Sequence, residues 1–293
     1  MQSKTKAIYE NCRVLDISGN LLFKTSRKRL DWYLARHLAN EIDPGTIQLT
    51  FTNKGSGRTH EPFYLQDMRN ACVVCNSDRQ LTQHHVVPYQ YRQFMSEEIK
   101  SRSSFDLLPL CARCHDAYER HAVLFKKHLA ACYDSPLLGI GWVERRDIGS
   151  AGKAAAALLA RNNKIPESRL CELRNTVHAV SIDRKDLFSD EARRYIEGWC
   201  RNTEEDVFGM EELVLQELCD MEVRVTGPDF RAHGDLVVDS VAAHRVLPSM
   251  CALCRAIAIG GVTELVVAWR RHFVEHARPA YMPEHWVVEY PVL

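Results

Sequence analysis

The sequence has no apolar run that approaches the roughly 18 residues a helix needs to cross a bilayer, and its apolar stretches are short segments such as AAAALLA. The opening segment, MQSKTKAIYENC, is polar and lacks the apolar block of a signal peptide. Internal repeats and low-complexity tracts are also missing. We therefore expect a globular protein that is not secreted and has no membrane span.

The chain also lacks the even number of cysteines that complete disulfide pairing requires. The 11 cysteines are spread along the chain, and an odd, scattered set does not indicate the disulfide framework of a secreted domain. We expect a reducing, intracellular location, in the cytoplasm or the nucleus.

Net charge is absent too, since 38 Lys and Arg residues balance 38 Asp and Glu residues. Taken alone, this argues against a nucleic-acid partner, but the charge is unevenly distributed. Residues 1–135 contain 19 basic and 14 acidic residues, a net charge of +5, whereas residues 136–293 contain 19 and 24, a net charge of −5. The asymmetry is consistent with a phosphate-binding face in the first half, and an ordinary solvated surface would show it nearly as well.

Two Cys-x-x-Cys pairs stand in the basic half, a few tens of residues apart: Cys72 with Cys75, and Cys111 with Cys114. This spacing is a strong signal for structural zinc, because four thiolates close a tetrahedral site and leave no position for a substrate. The histidines nearby fall outside that closed shell. The pair His84 and His85 in LTQHHVVP, together with His115 directly after Cys114, has the donors that a second, open metal site would need.

The combined pattern resembles the HNH endonucleases, the ββα-metal superfamily, in their zinc-stapled form. In that family a strand carries an Asp-His or His-His pair followed by apolar residue and proline, which corresponds to HHVVP at residues 84–88. A loop residue, usually Asn, lies five positions before the second cysteine pair, and here it is Asp106. The last cysteine is followed by a metal-binding His or Asn, here His115.

The resemblance implies an α+β fold with a zinc-stapled, treble-clef-like ββα core. It implies that His85 is the general base and that His84 and His115 bind a catalytic divalent ion, Mg²⁺ or Mn²⁺. Asp106 would brace the loop as an acceptor, although it cannot donate a hydrogen bond as Asn would. The implied zinc ligands are Cys72, Cys75, Cys111 and Cys114.

The same roles follow from the chemistry of phosphodiester hydrolysis. A histidine with a pKa near ~6.5 is partly neutral close to pH 7, so His85 can accept a proton from water. Neighbouring residues on a strand point to opposite faces, so His84 and His85 cannot both bind one ion. Glu119 lies four residues after His115 on the same helical face and is a further candidate ligand.

The flanking segments resemble the region that follows the exonuclease domain in a family of 3'-5' exonuclease-domain proteins. The resemblance rests on YENCRVLDISGNLLFKTSRKRLDWYL, CVVC, VVPYQYRQFM and WRRHFVEHARPAYMPEHW. Because it lies outside the exonuclease domain, it implies association with nucleic-acid processing and does not imply an acidic exonuclease site.

We expect three consecutive segments: an α+β module (1–66), the HNH-type core (67–135) and a mainly helical region (136–293). In the first, the pattern predicts a hairpin within residues 8–24, a helix from Ser26 to Asp43 and a strand in TIQLTFT. Aromatic and basic residues between the cysteine pairs suit base stacking and phosphate contact: Tyr89, Tyr91, Arg92, Lys100 and Arg102.

Three further patterns are weaker. His272, Glu275 and His276 match the order of an inverted zinc protease, but packing or surface roles suffice on an amphipathic helix. Cys251 and Cys254 form a third Cys-x-x-Cys without a matching second pair, which favours buried free cysteines over a second zinc or a redox pair. The acids in HGDLVVDS are interpreted as loop residues: Asp235 and Asp239.

The sequence thus predicts a metal-dependent HNH-type endonuclease that hydrolyses phosphodiester bonds of DNA or RNA. The alternative is a non-catalytic, zinc-stabilised nucleic-acid-binding or scaffold protein, in which the histidines have packing or surface roles. The residues favour neither DNA over RNA nor one oligomeric state.

Overall fold

The computed structural model describes residues 7–55, 58–160, 164–199 and 210–292, and shows a mixed α+β protein. The first six residues, on which the expectation about secretion partly rests, lie outside the described residues. The strands are β1 (Cys12–Leu15), β2 (Leu21–Thr25), β3 (Ala39–Asp43), β4 (Thr46–Leu49), β5 (Leu81–His85), β6 (Leu107–Cys111), β7 (Ile140–Glu144) and β8 (Arg224–Arg231). The helices are α1 (Arg27–Leu34), α2 (Pro62–Leu65), α3 (Tyr89–Arg92), α4 (Glu97–Ser101), α5 (Ala112–Cys132), α6 (Arg146–Leu159), α7 (Glu167–Asp183), α8 (Asp190–Trp199), α9 (Met210–Asp220), α10 (His233–Ala242) and α11 (Ala252–Ala277), with a short 3-10 turn at Lys185–Leu187.

The chain divides into two compact units. Unit 1 combines residues 1–139 with 231–293, and unit 2 is Ile140–Phe230. This grouping differs from the three consecutive segments expected from the sequence, because α10 and α11 pack on α3 and α5 of the motif region. The three segments as separate folding units stay a prediction.

Unit 1 begins with a four-stranded sheet in the order β2-β1-β4-β3. The predicted hairpin is present, since β1 and β2 pair antiparallel, and β1 also pairs parallel with β4. Val14, Leu30 and Ile47 are fully buried between this sheet and α1. The apolar alternation of these short strands therefore produces a small core of its own.

The predicted helix from Ser26 to Asp43 is wrong in its second half. Helix α1 begins after Ser26 but ends at Leu34, and His37 has a φ of +55°, a left-handed conformation that stops a helix. The residues of β3 instead pair antiparallel with β4 across the turn that contains Gly45, whose φ is +81°. Helical spacing alone could not reveal this strand, because β4 stabilises it from outside the segment.

The motif region forms two antiparallel strands followed by a long helix. His84 pairs with Leu108 and Leu81 with Cys111 in the β5–β6 ladder, and α5 starts directly after Cys111. Buried side chains of β6, α5 and α11 form one core under this hairpin: Leu108, Leu110, Tyr118, Leu129, Trp269 and Phe273. The structure therefore contains the predicted strand–strand–helix order around the cysteines.

Helix α11 crosses this core. By length and apolar composition it is the one helix among the described residues that could cross a membrane, and half of its apolar window is buried inside the protein. Core helices share that composition, so the helix is weak evidence for a membrane span. A non-helical Gly261, with a φ of +68°, breaks it between two helical parts.

Unit 2 contains α6 to α9 and a two-stranded sheet of β7 and β8. Its core is formed mainly by α6, α7, α8 and α9. The segment RVTGPDFR, within the region expected to be mainly helical, forms β8. The interpretation of Asp235 and Asp239 as loop acids is wrong, because both lie on α10 and pair with Arg231.

Candidate functional site

The four predicted zinc ligands converge. Cys72 and Cys75 come from a turn before β5, Cys111 ends β6, and Cys114 lies in the first turn of α5. Their sulfur atoms lie within 4.8 Å of one another, and Sγ of Cys75 is 3.7 Å from Sγ of Cys111. Zinc–sulfur bonds of about 2.3 Å in a tetrahedron place the sulfurs about 3.8 Å apart, so the residues fit a zinc ion.

Backbone bonds hold the first cysteine pair. The amide of Cys72 donates to Ser77 O at 2.8 Å, and Asn76 takes a left-handed φ of +60° to close the turn. The backbone amide of Ser77 lowers the pKa of Cys75, whereas burial raises the pKa of Cys72. Val73 N–H donates to a carbonyl of β6, which joins the turn to the hairpin that carries the histidines.

A second group of metal-ligand atoms lies on β5 and α5. Nδ1 of His84 is 3.0 Å from Nε2 of His115 and 4.0 Å from a carboxylate oxygen of Glu119. The same oxygen is 3.7 Å from Nε2 of His115. Two imidazole nitrogens and one carboxylate oxygen form a donor set that suits a divalent ion with open positions.

Thr82 fixes which nitrogen of His115 faces this group. Its hydroxyl donates to Leu110 O at 2.8 Å and therefore has only its lone pairs left for Nδ1 of His115, at 2.7 Å. Nδ1 of His115 must then carry the proton. Nε2 keeps its lone pair and points at His84 and Glu119, as a metal-binding nitrogen must.

The environment of His84 keeps it neutral. Its ring stacks on Phe273 with 5.3 Å between centroids and meets Tyr118 edge-on. Burial and the neighbouring His115 lower the pKa of His84 to about 3, and neutral imidazole is the form that binds metals. The adjacent His115 imidazole and the nearby ammonium of Lys126 lower the pKa of Glu119 to about 2, so its carboxylate is ionised.

Within the described residues, Nε2 of His84 is buried without a hydrogen-bond partner. All polar contacts of the ring therefore run through Nδ1, on the side where His115 and Glu119 converge. If Nδ1 bound a metal ion, the proton of the neutral ring would lie on Nε2, where the described residues offer it no acceptor.

His85 lies on the other face of β5 and is less buried than His84. Its Nδ1 is 3.0 Å from Nη1 of Arg92, which can only donate, so Nδ1 accepts that hydrogen bond. Arg92 also lines a shallow depression with two other residues predicted for nucleic-acid contact, Tyr89 and Lys100, and with Gln93 and Ser103. Tyr91, which was predicted for base stacking as well, is fully buried.

Asp106 braces the hairpin in two ways. Its carbonyl accepts from Val86 N–H, and its buried carboxylate forms a two-point ion pair with Arg270 of α11, at 2.7 and 3.0 Å. Burial raises the pKa of Asp106, and the hydrogen bonds from Arg270 oppose that shift. Its direct part in catalysis stays a prediction.

Sequence reasoning missed three residues that shape the site: Thr82, Arg270 and Phe273. Thr82 could have been found, because it lies two positions before His84 on a strand and so shares its face. The contacts of Arg270 and Phe273 join residues far apart in the chain, and nothing in the local sequence signals them.

The His-x-x-Glu-His pattern on α11 shows packing contacts. His272 stacks on Phe125 and its Nδ1 lies 3.0 Å from the Tyr118 hydroxyl, while His276 stacks on His121. Among the described residues, Glu275 does not join these histidines in a group of converging ligand atoms. The interpretation as packing residues agrees with these contacts.

Comparisons with known proteins give several relatives. The chain is 28% identical over 302 residues to exonuclease 3'-5' domain-containing protein 2 of Drosophila melanogaster. This alignment covers 98% of this chain and 44% of the relative. The protein of the same name from Homo sapiens is 24% identical over 297 residues, covering 98% of this chain and 41% of the relative. Protein RRP6-like 3 of Arabidopsis thaliana is 33% identical over 195 residues, covering 58% and 22%.

No family model and no solved structure matches the chain, so membership of the HNH superfamily stays a prediction from the residue pattern. The chain spans less than half the length of these relatives. Over nearly all of its own length, it is a homologue of exonuclease 3'-5' domain-containing protein 2.

Proposed function

We propose that this protein is a metal-dependent nuclease of the HNH type that cuts phosphodiester bonds within DNA or RNA. The names of its homologues support a nuclease-related function on nucleic acid. The observation that carries the finer proposal is the convergence of His84, His115 and Glu119 next to a four-cysteine cluster, with His85 on the opposite face of the same strand.

His84, His115 and Glu119 would hold the catalytic divalent ion. When bound, the ion supplies Lewis-acid stabilisation of the phosphate and the leaving oxygen. Thr82 keeps the lone pair of His115 on Nε2, and the apolar rings around His84 keep that imidazole neutral. The ionised Glu119 contributes negative charge, which favours a divalent cation over a bound anion at this place.

His85 would act as the general base that takes a proton from the attacking water. Its Nδ1 accepts a hydrogen bond from Arg92, and a substrate phosphate competes for that guanidinium because Arg binds phosphate with paired N–H groups. As Arg92 turns to the phosphate, Nδ1 of His85 exchanges this donor for the water. Substrate binding and activation of the base are thereby coupled in one side chain.

The depression beside His85 suits a nucleic-acid strand. Tyr89 is 63% exposed, and the Arg92 guanidinium lies 5.8 Å from the centre of its ring. An exposed aromatic ring stacks on any base, and Arg92 and Lys100 supply charge for the phosphates. This arrangement favours binding of a single strand or an unpaired segment.

The test is cleavage of circular single-stranded DNA and of structured RNA by the purified protein, with Mg²⁺, Mn²⁺ or EDTA. Circular substrates exclude attack from an end, so any product reports internal cutting. We expect cutting with a divalent ion, none with EDTA, and a loss of ~10² to 10⁴-fold in turnover for His85→Ala, the usual contribution of a positioned general base.

His178→Ala is the matched control, because it removes an exposed histidine from α7 in unit 2 and should leave turnover unchanged. If neither wild type nor the control cuts any substrate with any divalent ion, yet both bind nucleic acid, the nuclease proposal fails. The protein is then a zinc-stabilised binding module.

A further inference from the structure

A third group of metal-ligand side chains lies at the C-terminal end of α5. His128 and Cys132 are four residues apart and so share a helical face. Cys251 is the N-cap residue of α11, and Cys254 lies in the first turn of that helix. The prediction of two buried free cysteines is wrong for Cys251, which is exposed, and it overlooked the second pair that α5 supplies.

The four ligand atoms lie within 4.8 Å of one another. Nε2 of His128 is 3.2 Å from Sγ of Cys251 and 3.8 Å from Sγ of Cys132. Zinc bonds of about 2.3 Å to sulfur and about 2.0 Å to nitrogen place tetrahedral donors about 3.5 to 3.8 Å apart. We propose that His128, Cys132, Cys251 and Cys254 bind a second zinc ion.

The donor set determines the kind of site. Three thiolates and one imidazole are soft donors that select zinc over Mg²⁺ or Mn²⁺. Four protein ligands complete a tetrahedron and leave no position for water or substrate, so the second zinc is structural. It therefore adds to the proposed function without taking part in the proposed chemistry.

The surrounding backbone is arranged to hold both pairs together. The hydroxyl of Tyr133, next to Cys132, donates a buried hydrogen bond of 2.9 Å to Cys254 O. The amide of Cys254 in turn donates to Sγ of Cys251 at 3.4 Å. The end of α5 and the start of α11 are thus already joined by polar contacts, and the zinc would fix the same junction.

The position of the junction in the chain indicates what the second zinc would stabilise. Unit 2 leaves unit 1 after Gly139 and returns at Arg231, so the two ligand pairs stand on either side of this long excursion. Closing such a long loop is entropically costly for a flexible chain, and a metal clip at its base restricts the unfolded state. Helix α11 also carries Arg270 and Phe273, which contact Asp106 and His84.

Metal content of the full chain tests the proposal. We expect two zinc ions per chain in protein purified under reducing conditions and measured by mass spectrometry of the elements. His128→Ala and Cys251→Ser, both at exposed positions, should each lower the count to one. His128→Cys should keep two, because a thiolate replaces the imidazole as ligand.

Cys171→Ser is the control, since Cys171 is an exposed free cysteine of α7 in unit 2 and its loss should leave both zinc ions bound. Titration of metal-free wild type with Co²⁺ gives a readout that needs no variant: thiolate-to-metal absorption should rise until two equivalents are bound. Saturation at one equivalent, or a disulfide between Cys251 and Cys254 in freshly reduced protein, would overturn the proposal. Neither result would bear on cleavage by the proposed nuclease site.

Discussion

A single hydroxyl sets the chemistry of His115. Because Thr82 donates to Leu110 O, it can only accept from Nδ1 of His115, and this leaves Nε2 as the nitrogen that would bind the proposed metal ion. A contact of this kind usually contributes 10 to 100-fold to metal affinity, although it never touches the metal. Thr82, which lies two positions before His84 on the same face of β5, would therefore affect metal affinity through its contact with His115.

We expect Thr82→Val to weaken Mn²⁺ binding by roughly 10 to 100-fold with the fold retained, because valine keeps the shape and loses the acceptor. Calorimetric titration of the zinc-loaded protein with Mn²⁺ measures the change. Thr176→Val is the control: that hydroxyl bonds Glu172 O on α7, away from the histidines. Equal Mn²⁺ affinity in wild type and Thr82→Val would contradict the assigned role.

His84 and His85 should fail in different ways. His84→Ala removes a proposed ligand and should lower the affinity for the divalent ion, so raising the Mn²⁺ concentration should restore part of the activity. Loss of the base in His85→Ala leaves the ion in place, so added Mn²⁺ should restore little. Turnover measured against Mn²⁺ concentration separates the two, and identical curves for both variants would remove the division into ligand and base.

The buried pair of Asp106 and Arg270 predicts a large stability effect. Removing one partner leaves a buried charge uncompensated, so Asp106→Ala or Arg270→Ala should each lower the free energy of unfolding by about 3–5 kcal/mol. The double variant Asp106→Leu with Arg270→Met should lose less than the sum, since both charges are gone. Urea denaturation followed by circular dichroism measures these values.

Arg271→Ala supplies the comparison for that series. Its ion pair with Glu264 is about half exposed, and surface pairs contribute about 1 kcal/mol or less. If Arg271→Ala lowered the free energy of unfolding as much as Arg270→Ala, burial of the ion pair would not explain the stability effect.

At the scale of elements, α10 supports the short helix that carries Arg92. Gly234 on α10 lies so close to α3 that a Cβ would overlap the carbonyl oxygen of Gln90. Next to it, Nδ1 of His233 donates to Ser135 O at 2.7 Å, and its Nε2 accepts from the Tyr91 hydroxyl at 2.8 Å. Close backbone approach and this buried network together fix α3 beside His85.

We expect Gly234→Ala to lower the free energy of unfolding by about 1–3 kcal/mol, because the added methyl group must push α10 away from α3. Activity should fall as well, since α3 positions Arg92. Gly198→Ala is the matched control: it is also a helical glycine, nothing lies within 4 Å of its Cβ position, and alanine should stabilise the helix by about 0.5–1 kcal/mol. Thermal melts compare the stability of both variants with that of the wild type. Stabilisation by Gly234→Ala as well as by Gly198→Ala would show that α10 can move away from α3 at no cost.

Local pattern predicted the β1–β2 hairpin and the beginning of α1 from apolar runs, turn residues and helical spacing. The strand with His84 and His85 and helix α5 were expected from the resemblance to HNH endonucleases. The failure at β3 arose because its strand pairing with β4 depends on a neighbouring segment, while its own residues fit a helix equally well. Short-range signals determine a segment only where tertiary contacts do not override them.

The candidate site shows the same division. The ligand atoms of His84, His115 and Glu119 converge. The resemblance implied the first two residues, and the four-residue spacing on one helix placed Glu119 beside His115. His128 and Cys251 were not connected, since the pairs come from distant helices whose packing is set by the core. Contacts between residues on neighbouring elements can be predicted from sequence spacing. Contacts between helices that are distant in the sequence can be identified only once the tertiary structure is known.

At the scale of the whole molecule, unit 2 is an insertion whose ends lie together. Arg145 N–H donates to Val223 O, and Gly141 lies against the backbone of Asp229, so β7 and β8 run side by side where the chain leaves and re-enters unit 1. Adjacent termini are the usual mark of a unit that can be inserted or removed.

Replacing residues 141–229 by a short Gly/Ser linker should therefore leave unit 1 folded, with its zinc content and cooperative unfolding transition retained. Circular dichroism melts and metal analysis check this. Deleting residues 231–292 instead should abolish the fold, because α10 and α11 supply much of the core around β5 and β6. If the linker protein also fails to fold, unit 2 is required for the stability of unit 1.

The packing of α11 also imposes an order on synthesis. The ribosome releases the zinc-binding turns, β5, β6 and α5 well before Arg270 and Phe273, which pair with Asp106 and cover His84. Until α11 emerges from the exit tunnel, one face of the His84 ring stays in water and Asp106 lacks its partner. A nascent or prematurely terminated chain thus contains every histidine of the proposed site without the surroundings that orient them, so the proposed site would be complete only after α11 has been made.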